Sequence, residues 1–244
     1  MDLMRVLVTR PEPDARQEAD ALRARGYEPV LAPLLDIEFL KGVSLDLDGA
    51  QAVVITSRNA LRALADHPQR EAVAALPLFA VGEATAWAGR QFGFSEVTIG
   101  PGTGAGLPPI IRREVHPEKG PLVHIGAEKV AFDLQGALEE DGFELRRFVL
   151  YRSHPVETLP DAVVGDLASG EISRVLLLSP RTARTFARLA QRHGVATETK
   201  GLVCYCLSKA IAEAVAPLGF TVRVPQHARE EDLLALLDSD ASSS

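Results

Sequence analysis

The chain has 244 residues, of which 46% are hydrophobic and 24% charged, and its formal net charge at pH 7 is −7. The length fits one large domain or two of about 120 residues, and the composition is that of a globular protein rather than a disordered one. The acidic balance and the lack of a basic run argue against nucleic-acid binding. The sequence shows neither a signal-type segment nor a long apolar run, so we expect a cytoplasmic protein that does not enter a membrane.

The first half of the chain alternates short apolar runs with helical patterns. The apolar runs predict strands at 5–11, 27–31, 51–57, 78–82 and 95–99. Helical spacing of apolar residues predicts helices at 14–25, 59–65 and 83–92. Five strands separated by helices and joined by short loops indicate a doubly wound α/β unit.

The second half repeats this order. Strands are predicted at 122–126, 143–151, 175–179 and 202–207, with a helix at 129–141. Two longer, less regular stretches, 32–49 and 152–173, lie between the second and third strands of each half. The polar end of the chain, 238–244, is expected to be unstructured.

A glycine followed by an aromatic residue occurs four times, each time after a helical pattern. Glycine accepts the left-handed conformation that ends a helix, and the following apolar residue packs back on the last turn. Gly26 and Gly142 are 116 residues apart, and Gly93 and Gly219 are 126 apart. The matched spacing predicts an internal duplication.

The cysteines and histidines do not suggest a metal centre. Cys204 and Cys206 share one face of a predicted strand and are interpreted as core residues, in preference to metal ligands or a redox pair. The six histidines are scattered without ligand spacing. We therefore predict no metal ion.

Polar residues concentrate where predicted strands end and helices begin. In a doubly wound sheet this edge binds ligands, and the helix N-termini there offer unpaired N–H donors. Helix capping is the alternative for each single segment, because serine and threonine favour caps. Six such segments with nearby cations favour an anionic ligand. The candidate binding residues are Arg10, Thr56, Ser57, Arg58, Gly82, Glu83, Ala84, Thr85, Gly126, Lys129, Ser179, Ser208 and Lys209.

Common catalytic motifs are missing from the sequence. It contains no Gly-x-Ser-x-Gly elbow, no Gly-x-Gly-x-x-Gly after the first strand, and no phosphate loop in the glycine-rich run 100–106. Tyr151 closes the second strand of the second half, where it is either a proton donor or an amphipathic core residue.

Five short motifs, in this order and spacing, resemble the uroporphyrinogen-III synthase family, whose members cyclise linear hydroxymethylbilane and invert its ring D. Each motif is weakly specific alone, but together they cover nearly the whole chain. They are Leu7-Val8-Thr9-Arg10-Pro11, Ile55-Thr56-Ser57-Arg58-Asn59-Ala60, Ala80-Val81-Gly82-Glu83-Ala84-Thr85-Ala86, Val149-Leu150-Tyr151-Arg152 and Leu178-Ser179-Pro180.

The resemblance implies an α/β fold of two flavodoxin-like parallel-sheet domains, formed by an internal duplication and joined by a two-stranded connector. The two halves would exchange strands. One domain would then hold residues 1–36 and 153–244, the other would hold 39–149, and the connector would comprise 33–39 and 149–155. The family's active site lies in the cleft between its domains.

The resemblance also implies roles for individual residues. Tyr151 matches a tyrosine proposed to assist departure of the substrate hydroxyl. Two places depart from the family: Ser208 and Lys209 stand where glycine and threonine are common, and arginines usual near the Gly126 turn are absent, where Lys129 is a possible substitute. The segments that match substrate-contacting ones contain Thr56, Ser57, Arg58, Gly82, Thr85 and Ser179.

Two classes of function remain open at this point. The first is a monomeric enzyme that acts on hydroxymethylbilane without a cofactor. The alternative is a two-lobed binding or sensor protein that closes on an anionic small molecule without chemistry. The same sheets and helix termini would serve either function.

Overall fold

The structure is a computed structural model that describes residues 3–195 and 201–242. The chain forms two compact units. Unit 1 consists of Met1–Asp36 and His154–Ser244, and unit 2 consists of Ile37–Ser153. Unit 2 is therefore one continuous stretch, whereas unit 1 is assembled from both ends of the chain.

The described residues contain strands β1 to β11 and helices α1 to α10, with three short 3-10 helices at Gly104–Gly106, Pro117–Lys119 and Ala216–Leu218. The strands are β1 (Arg5–Val8), β2 (Glu28–Leu31), β3 (Leu35–Phe39), β4 (Ala52–Ile55), β5 (Leu78–Ala80), β6 (Val97–Ile99), β7 (Leu122–Ala127), β8 (Leu145–Pro155), β9 (Ile172–Leu177), β10 (Val203–Cys206) and β11 (Thr221–Arg223). The helices are α1 (Asp14–Ala24), α2 (Arg58–Leu64), α3 (Arg70–Ala74), α4 (Glu83–Phe92), α5 (Leu107–Glu114), α6 (Leu134–Glu139), α7 (Asp161–Ser169), α8 (Pro180–Arg192), α9 (Lys209–Val215) and α10 (Glu230–Ser242).

The sheet of unit 1 has the order β11-β10-β9-β1-β2, and all of its neighbouring strands are parallel. Helices α1 and α10 cover one face, where Leu22 and Leu237 are buried against Val6 and Val8. Helices α7, α8 and α9 supply apolar side chains to the other face. Because both faces are covered, the central strands read as apolar runs without alternation.

The second sheet has the order β3-β8-β7-β4-β5-β6, and the neighbours from β8 to β6 are parallel. Side chains of α2, α3 and α4 pack on one face, and those of α5 and α6 pack on the other. All four residues of β4 are buried. The α/β class with parallel sheets, predicted from the sequence, is confirmed.

The two parallel sheets share one spatial order. In unit 1, β2 lies on one side of β1, and β9, β10 and β11 follow on the other side. In unit 2, β8 lies on one side of β7, and β4, β5 and β6 follow on the other. Counted along the chain, unit 1 has the flavodoxin-like order 2-1-3-4-5, whereas the same arrangement in unit 2 is 3-2-1-4-5, because β7 and β8 come last in that unit. The switch point lies between the first and third strands of the former order and between the first and fourth strands of the latter. The switch points are therefore β1/β9 in unit 1 and β7/β4 in unit 2.

The four glycine–aromatic pairs end helical segments as predicted. The φ angles of Gly26, Gly93, Gly142 and Gly219 are 83°, 127°, 82° and 74°. Residues other than glycine rarely adopt such positive φ angles. The N–H of Tyr27 returns to the Leu22 carbonyl at 3.1 Å, which closes the last turn of α1.

Two sequence predictions about helices are wrong. The helix expected at 129–141 is shorter, because the Asp133 carboxylate accepts a hydrogen bond from the Gly136 N–H at 3.0 Å and so starts α6 later. The terminal segment is helical through Ser242 rather than unstructured. Its Asp238 accepts a hydrogen bond from the Tyr27 hydroxyl at 3.0 Å, and its Asp240 accepts one from Tyr205 at the same distance. Residues 243 and 244 lie outside the described residues.

Candidate functional site

Four candidate residues of unit 2 lie at neighbouring positions along one edge of its sheet. Thr56, Gly82 and Gly126 stand at the carboxyl ends of β4, β5 and β7, which are adjacent in the order β7-β4-β5. Tyr151 lies on β8, beside β7, and pairs with Ala127. Carboxyl ends of parallel strands share one edge, and Thr56 with Gly126 flanks the switch point, where ligands bind in folds of this type.

The segment after β5 presents main chain rather than side chains. Gly82 precedes α4 with extended backbone and makes no side-chain cap hydrogen bond. Glu83 and Ala84 are exposed, whereas the side chain of Thr85 is buried. The first-turn N–H groups of a helix have no partner within the helix and carry its positive dipole end, so this segment can attract an anion.

The glycine at position 82 also lets a loop approach α4 closely. A Cβ added there would lie 3.0 Å from the Gly102 Cα, which is closer than side-chain atoms normally come to a backbone. The loop is further held by the Gly102 N–H, which donates to the Val81 carbonyl at 2.7 Å. Gly102 of the glycine-rich run 100–106 thus packs against the backbone that leads into α4.

Two serine hydroxyls among the candidates act as helix caps. The Ser57 hydroxyl accepts a hydrogen bond from the Asn59 N–H at 3.2 Å, at the start of α2. The Ser179 hydroxyl accepts one from the Thr182 N–H at 3.0 Å, at the start of α8. Capping therefore explains these two hydroxyls. Arg58 follows as the partly buried first residue of α2.

The edge of unit 1 carries its own candidates. Ser208, Ser179 and Arg10 follow β10, β9 and β1, which are adjacent strands. Ser208 makes no side-chain cap hydrogen bond at the start of α9, and Lys209 beside it is exposed. In unit 2, the exposed Lys129 lies in the turn after β7 rather than on a helix.

The guanidinium of Arg10 is enclosed by carboxylates. It donates to both oxygens of Glu230 at 2.9 and 3.1 Å, and it lies 3.8 Å from carboxylate oxygens of Asp14 and of Glu18. Burial opposes the charge of Arg10, but the hydrogen bonds and charge of Glu230 and the charges of Glu18 and Asp14 outweigh it and raise the pKa of Arg10. Arg10 thus has internal carboxylate partners in unit 1.

Sequence reasoning did not name the arginines of β8, near the carboxyl edge of the unit 2 sheet, as candidate site residues. Arg147 donates to the carbonyls of Ala127 and Glu128 at 2.6 and 2.7 Å, and Arg152 pairs with the Glu128 carboxylate at 2.9 Å. Together they fix the turn after β7. The available signal was the presence of arginines within and directly after the predicted strand 143–151.

His124 is the other residue that sequence reasoning passed over, as one of the scattered histidines. It lies on β7 beside Val54 of β4 and Arg147 of β8, and only 2% of it is exposed. Its Nε2 is 3.5 Å from the Thr56 Oγ1. Burial, with a smaller effect of the Arg147 charge, lowers the pKa of His124 to about 4, so its imidazole is neutral at pH 7.

Buried His124 is expected to make unit 2 acid-sensitive. Its pKa falls from 6.5 in the unfolded chain to about 4 in the fold, so the unfolded state takes up the proton first. The contribution of neutral His124 to the free energy of unfolding is complete above pH 6.5. It is lost as the pH falls towards 4, and the total loss is up to about 3 kcal/mol. Urea unfolding of wild type and His124→Gln at pH 7 and pH 4.5 measures this loss. If the free energy of unfolding falls by the same amount in both proteins between pH 7 and pH 4.5, His124 is not the cause of the acid sensitivity.

Tyr151 is largely enclosed, with 6% of its surface exposed, and its side chain belongs to the apolar cluster between the sheet and α2 to α4. Its carbonyl accepts a hydrogen bond from the Glu128 N–H at 3.0 Å. Both interpretations of this tyrosine, core residue and proton donor, are compatible with that position.

Residues 3–195 and 201–242 show neither a metal-binding cluster nor a membrane-spanning helix. There, no three or more histidine, cysteine, aspartate or glutamate side chains are grouped so as to hold a metal ion. In the same part of the chain, every helix is too short or too polar to cross a bilayer.

Comparison with known proteins decides the family. The model of uroporphyrinogen-III synthase HemD matches residues 16–235. The chain belongs to the uroporphyrinogen-III synthase family. The resemblance predicted from the five motifs is therefore confirmed, and enzymes of this family are cyclising lyases of tetrapyrrole biosynthesis.

A curated relative also matches part of this chain. A curated protein of Methanocaldococcus jannaschii, assigned provisionally to uroporphyrinogen-III synthase, is 31% identical over 86 residues, which are 34% of this chain and 36% of that protein. The matching stretch thus spans about a third of that relative's length.

Crystal structures of family members share the fold over the full length. Uroporphyrinogen-III synthetase from Helicobacter pylori 26695 has a TM-score of 0.63 and 18% identity, covering 98% of this chain and 99% of its own. A mutant uroporphyrinogen III synthase from the extremely thermophilic bacterium Thermus thermophilus has a TM-score of 0.60 and 16% identity, covering 99% and 98%.

Proposed function

We propose that this chain converts linear hydroxymethylbilane into uroporphyrinogen III, with inversion of ring D and loss of water. The observation that carries the proposal is the family match over residues 16–235. It is supported by the placement of Thr56, Gly82 and Gly126 on three adjacent strand ends around a switch point, with Tyr151 on the next strand. A binding protein without chemistry has no comparable support.

The reaction we propose needs only groups that the substrate and the chain supply. The hydroxyl of the terminal hydroxymethyl group leaves with a proton as water, and the pyrrole nitrogen's electron pair stabilises the resulting azafulvene. The substituted carbon of ring D attacks this carbon and forms a spiro intermediate. The bond from the spiro carbon to the methylene of ring C then breaks, which restores the pyrrole of ring D and leaves an azafulvene on ring C. The unsubstituted α-carbon of ring D attacks that methylene and loses its proton, so the macrocycle closes with ring D reversed. Because the substrate is intrinsically reactive, the chain's main task is to hold the folded geometry that precedes the attack.

Tyr151 is the proton donor in this proposal. A phenol that protonates the departing hydroxyl turns a poor leaving group into water, and a well-placed acid contributes about 10²–10⁴-fold. Its position on β8, beside the turn that follows β7, supports this role.

The substrate's acetate and propionate groups require several anion-binding positions. One helix N-terminus contributes about 0.3–1 kcal/mol, whereas micromolar affinity corresponds to about 8 kcal/mol. In unit 2 we assign this binding to main chain at Gly82, Glu83, Ala84, Thr85 and Gly126, to Thr56 and the segment of Ser57 and Arg58, and to Lys129. In unit 1 we assign it to Ser179, Ser208 and Lys209.

The test supplies hydroxymethylbilane and separates the product isomers. Spontaneous closure without rearrangement gives the type I isomer, so type III product reports the enzyme. We expect type III to dominate when the protein is present. Type I alone, from a protein shown to be folded by circular dichroism, would refute the proposed function.

We also propose how the two sheets arose, where the domains begin and end, and that the protein is a cytoplasmic monomer. An internal duplication explains why the two parallel sheets share one strand order. Under this proposal the domains are 1–36 with 153–244 and 39–149. Segments 33–39 and 149–155, which contain all of β3 and part of β8, form a two-stranded connector. We propose a monomer in the cytoplasm, where the two free cysteines, Cys204 and Cys206, would stay reduced.

A further inference from the structure

We propose that His124 is a positioning residue for Thr56: its imidazole holds the Thr56 hydroxyl in the orientation that donates to a carboxylate of the substrate. The proposal rests on the proposed function and adds to it a residue outside the motifs that led to the family. It concerns binding of the substrate carboxylates rather than proton transfer to the reacting carbon.

The geometry places the imidazole directly behind the binding edge. His124 pairs with Val54, so Thr56 and Gly126 are the next residues on the same face of β4 and β7. Its Nε2 lies 3.5 Å from the Thr56 Oγ1, within hydrogen-bond distance. A Cβ added to Gly126 would lie 3.2 Å from the same Nε2. The nitrogen therefore faces the switch point between β4 and β7, although the residue is buried.

The absence of a side chain at position 126 gives the imidazole its place. A Cβ there would be in tight contact with Nε2, so the ring could keep its place beside Thr56 only by shifting a few tenths of an ångström. Arg147, on the strand at the other side of β7, is occupied by the carbonyls of Ala127 and Glu128. Thr56 is the hydrogen-bonding side chain that Nε2 reaches, which distinguishes this histidine from one that only fills the core.

The chemistry fixes the direction of the hydrogen bonds. A hydroxyl has one proton to donate and can accept a hydrogen bond at the same time. When the Thr56 hydroxyl donates a hydrogen bond to a carboxylate, the neutral imidazole donates one from Nε2–H to the Thr56 oxygen. Two hydrogen bonds linked in this way polarise the Thr56 hydroxyl and restrict its rotation. Removing the imidazole should therefore weaken substrate binding and leave the chemical step intact.

The test compares three variants of His124 in wild-type and Thr56→Val backgrounds. His124→Phe removes both ring nitrogens. Glutamine places an amide near the position of Nε2, whereas asparagine reaches only the position of Nδ1. We expect His124→Phe to raise KM about three- to tenfold with kcat unchanged, as for loss of one hydrogen bond. We expect glutamine to restore KM and asparagine not to.

The double variant separates positioning from structure. With Thr56→Val present, His124→Phe should raise KM no further, because the hydroxyl it acts on is gone. An equal rise in KM in both backgrounds, or a fall in kcat at constant KM, would overturn the proposal. Far-ultraviolet circular dichroism and thermal unfolding identify a variant that fails to fold, and glutamine then provides the comparison.

A binding measurement keeps this proposal distinct from the function on which it rests. The same cycle is repeated with the dissociation constant of uroporphyrin III, the oxidised product, measured by isothermal titration calorimetry. If the wild type binds uroporphyrin III but forms no type III product, the proposed function fails and the cycle still decides whether His124 acts through Thr56. If the wild type neither binds nor reacts, both proposals are overturned.

Discussion

Replacing Arg10 with alanine is expected to lower the free energy of unfolding by about 3 kcal/mol. The side chain of Arg10 is 13% exposed, those of Asp14 and Glu18 are 9% and 5% exposed, and Glu230 is 40% exposed. Removing the cation leaves buried carboxylates uncompensated, which typically costs about 3–5 kcal/mol. We take the lower end because water reaches Glu230. Urea unfolding at pH 7 measures the effect.

Arg16→Ala is the matched control. Arg16 is 79% exposed and pairs at 3.1 Å with Glu12, four positions earlier in the chain, so its loss should cost less than about 1 kcal/mol. If Arg10→Ala instead keeps its stability and raises KM, the guanidinium belongs to the substrate, as the sequence first suggested. The two readouts thus decide between an internal ion cluster and an anion-binding residue.

Replacing Tyr151 with phenylalanine is expected to lower kcat about 100-fold while the product remains type III. The hydroxyl supplies the proton for the leaving group, and such catalysis is worth about 10²–10⁴-fold. The isomer is set by substrate geometry, which the phenyl ring still supports. Single-turnover formation of each isomer, separated by chromatography, measures both quantities.

Tyr27→Phe is the comparison for this prediction. Tyr27 is also buried, and its hydroxyl donates to Asp238 at 3.0 Å in unit 1. Its loss should lower stability by about 1 kcal/mol and leave kcat unchanged. Complete inactivity of folded Tyr151→Phe would make the tyrosine indispensable and refute catalysis by geometry. Unchanged kcat would remove it as the proton donor.

Much of the fold was predictable because local patterns determine it. The run at 51–57 is apolar without alternation, since β4 is covered on both faces, and the bounds of α4 match the predicted 83–92. Where local signals compete, prediction failed. Helix α6 starts late because Asp133 caps it. The terminal helix combines an acidic first turn, which suits a helix N-terminus, with a serine- and aspartate-rich end that is typical of disorder.

The candidate site was predictable in its chain positions but not in its contacts. Strand ends can be located from periodicity, which is how Thr56, Gly82 and Gly126 were found. The partner of Arg10 could not be, because Glu230 is 220 positions away. His124 likewise lies 68 positions from Thr56, and a histidine within an apolar strand is usually interpreted as a core residue.

The two units differ in when their parts are synthesised. Unit 2 ends at Ser153, so a ribosome delivers all of it before β9, the next strand of unit 1. Strand β1 meets β9 only then: the Thr9 hydroxyl donates to the Leu176 carbonyl across 167 positions. The first 36 residues therefore leave the ribosome before unit 2. They stay without their β9 partner until unit 2 has been synthesised and can fold. Helix α10 joins last, and with it Glu230 reaches Arg10.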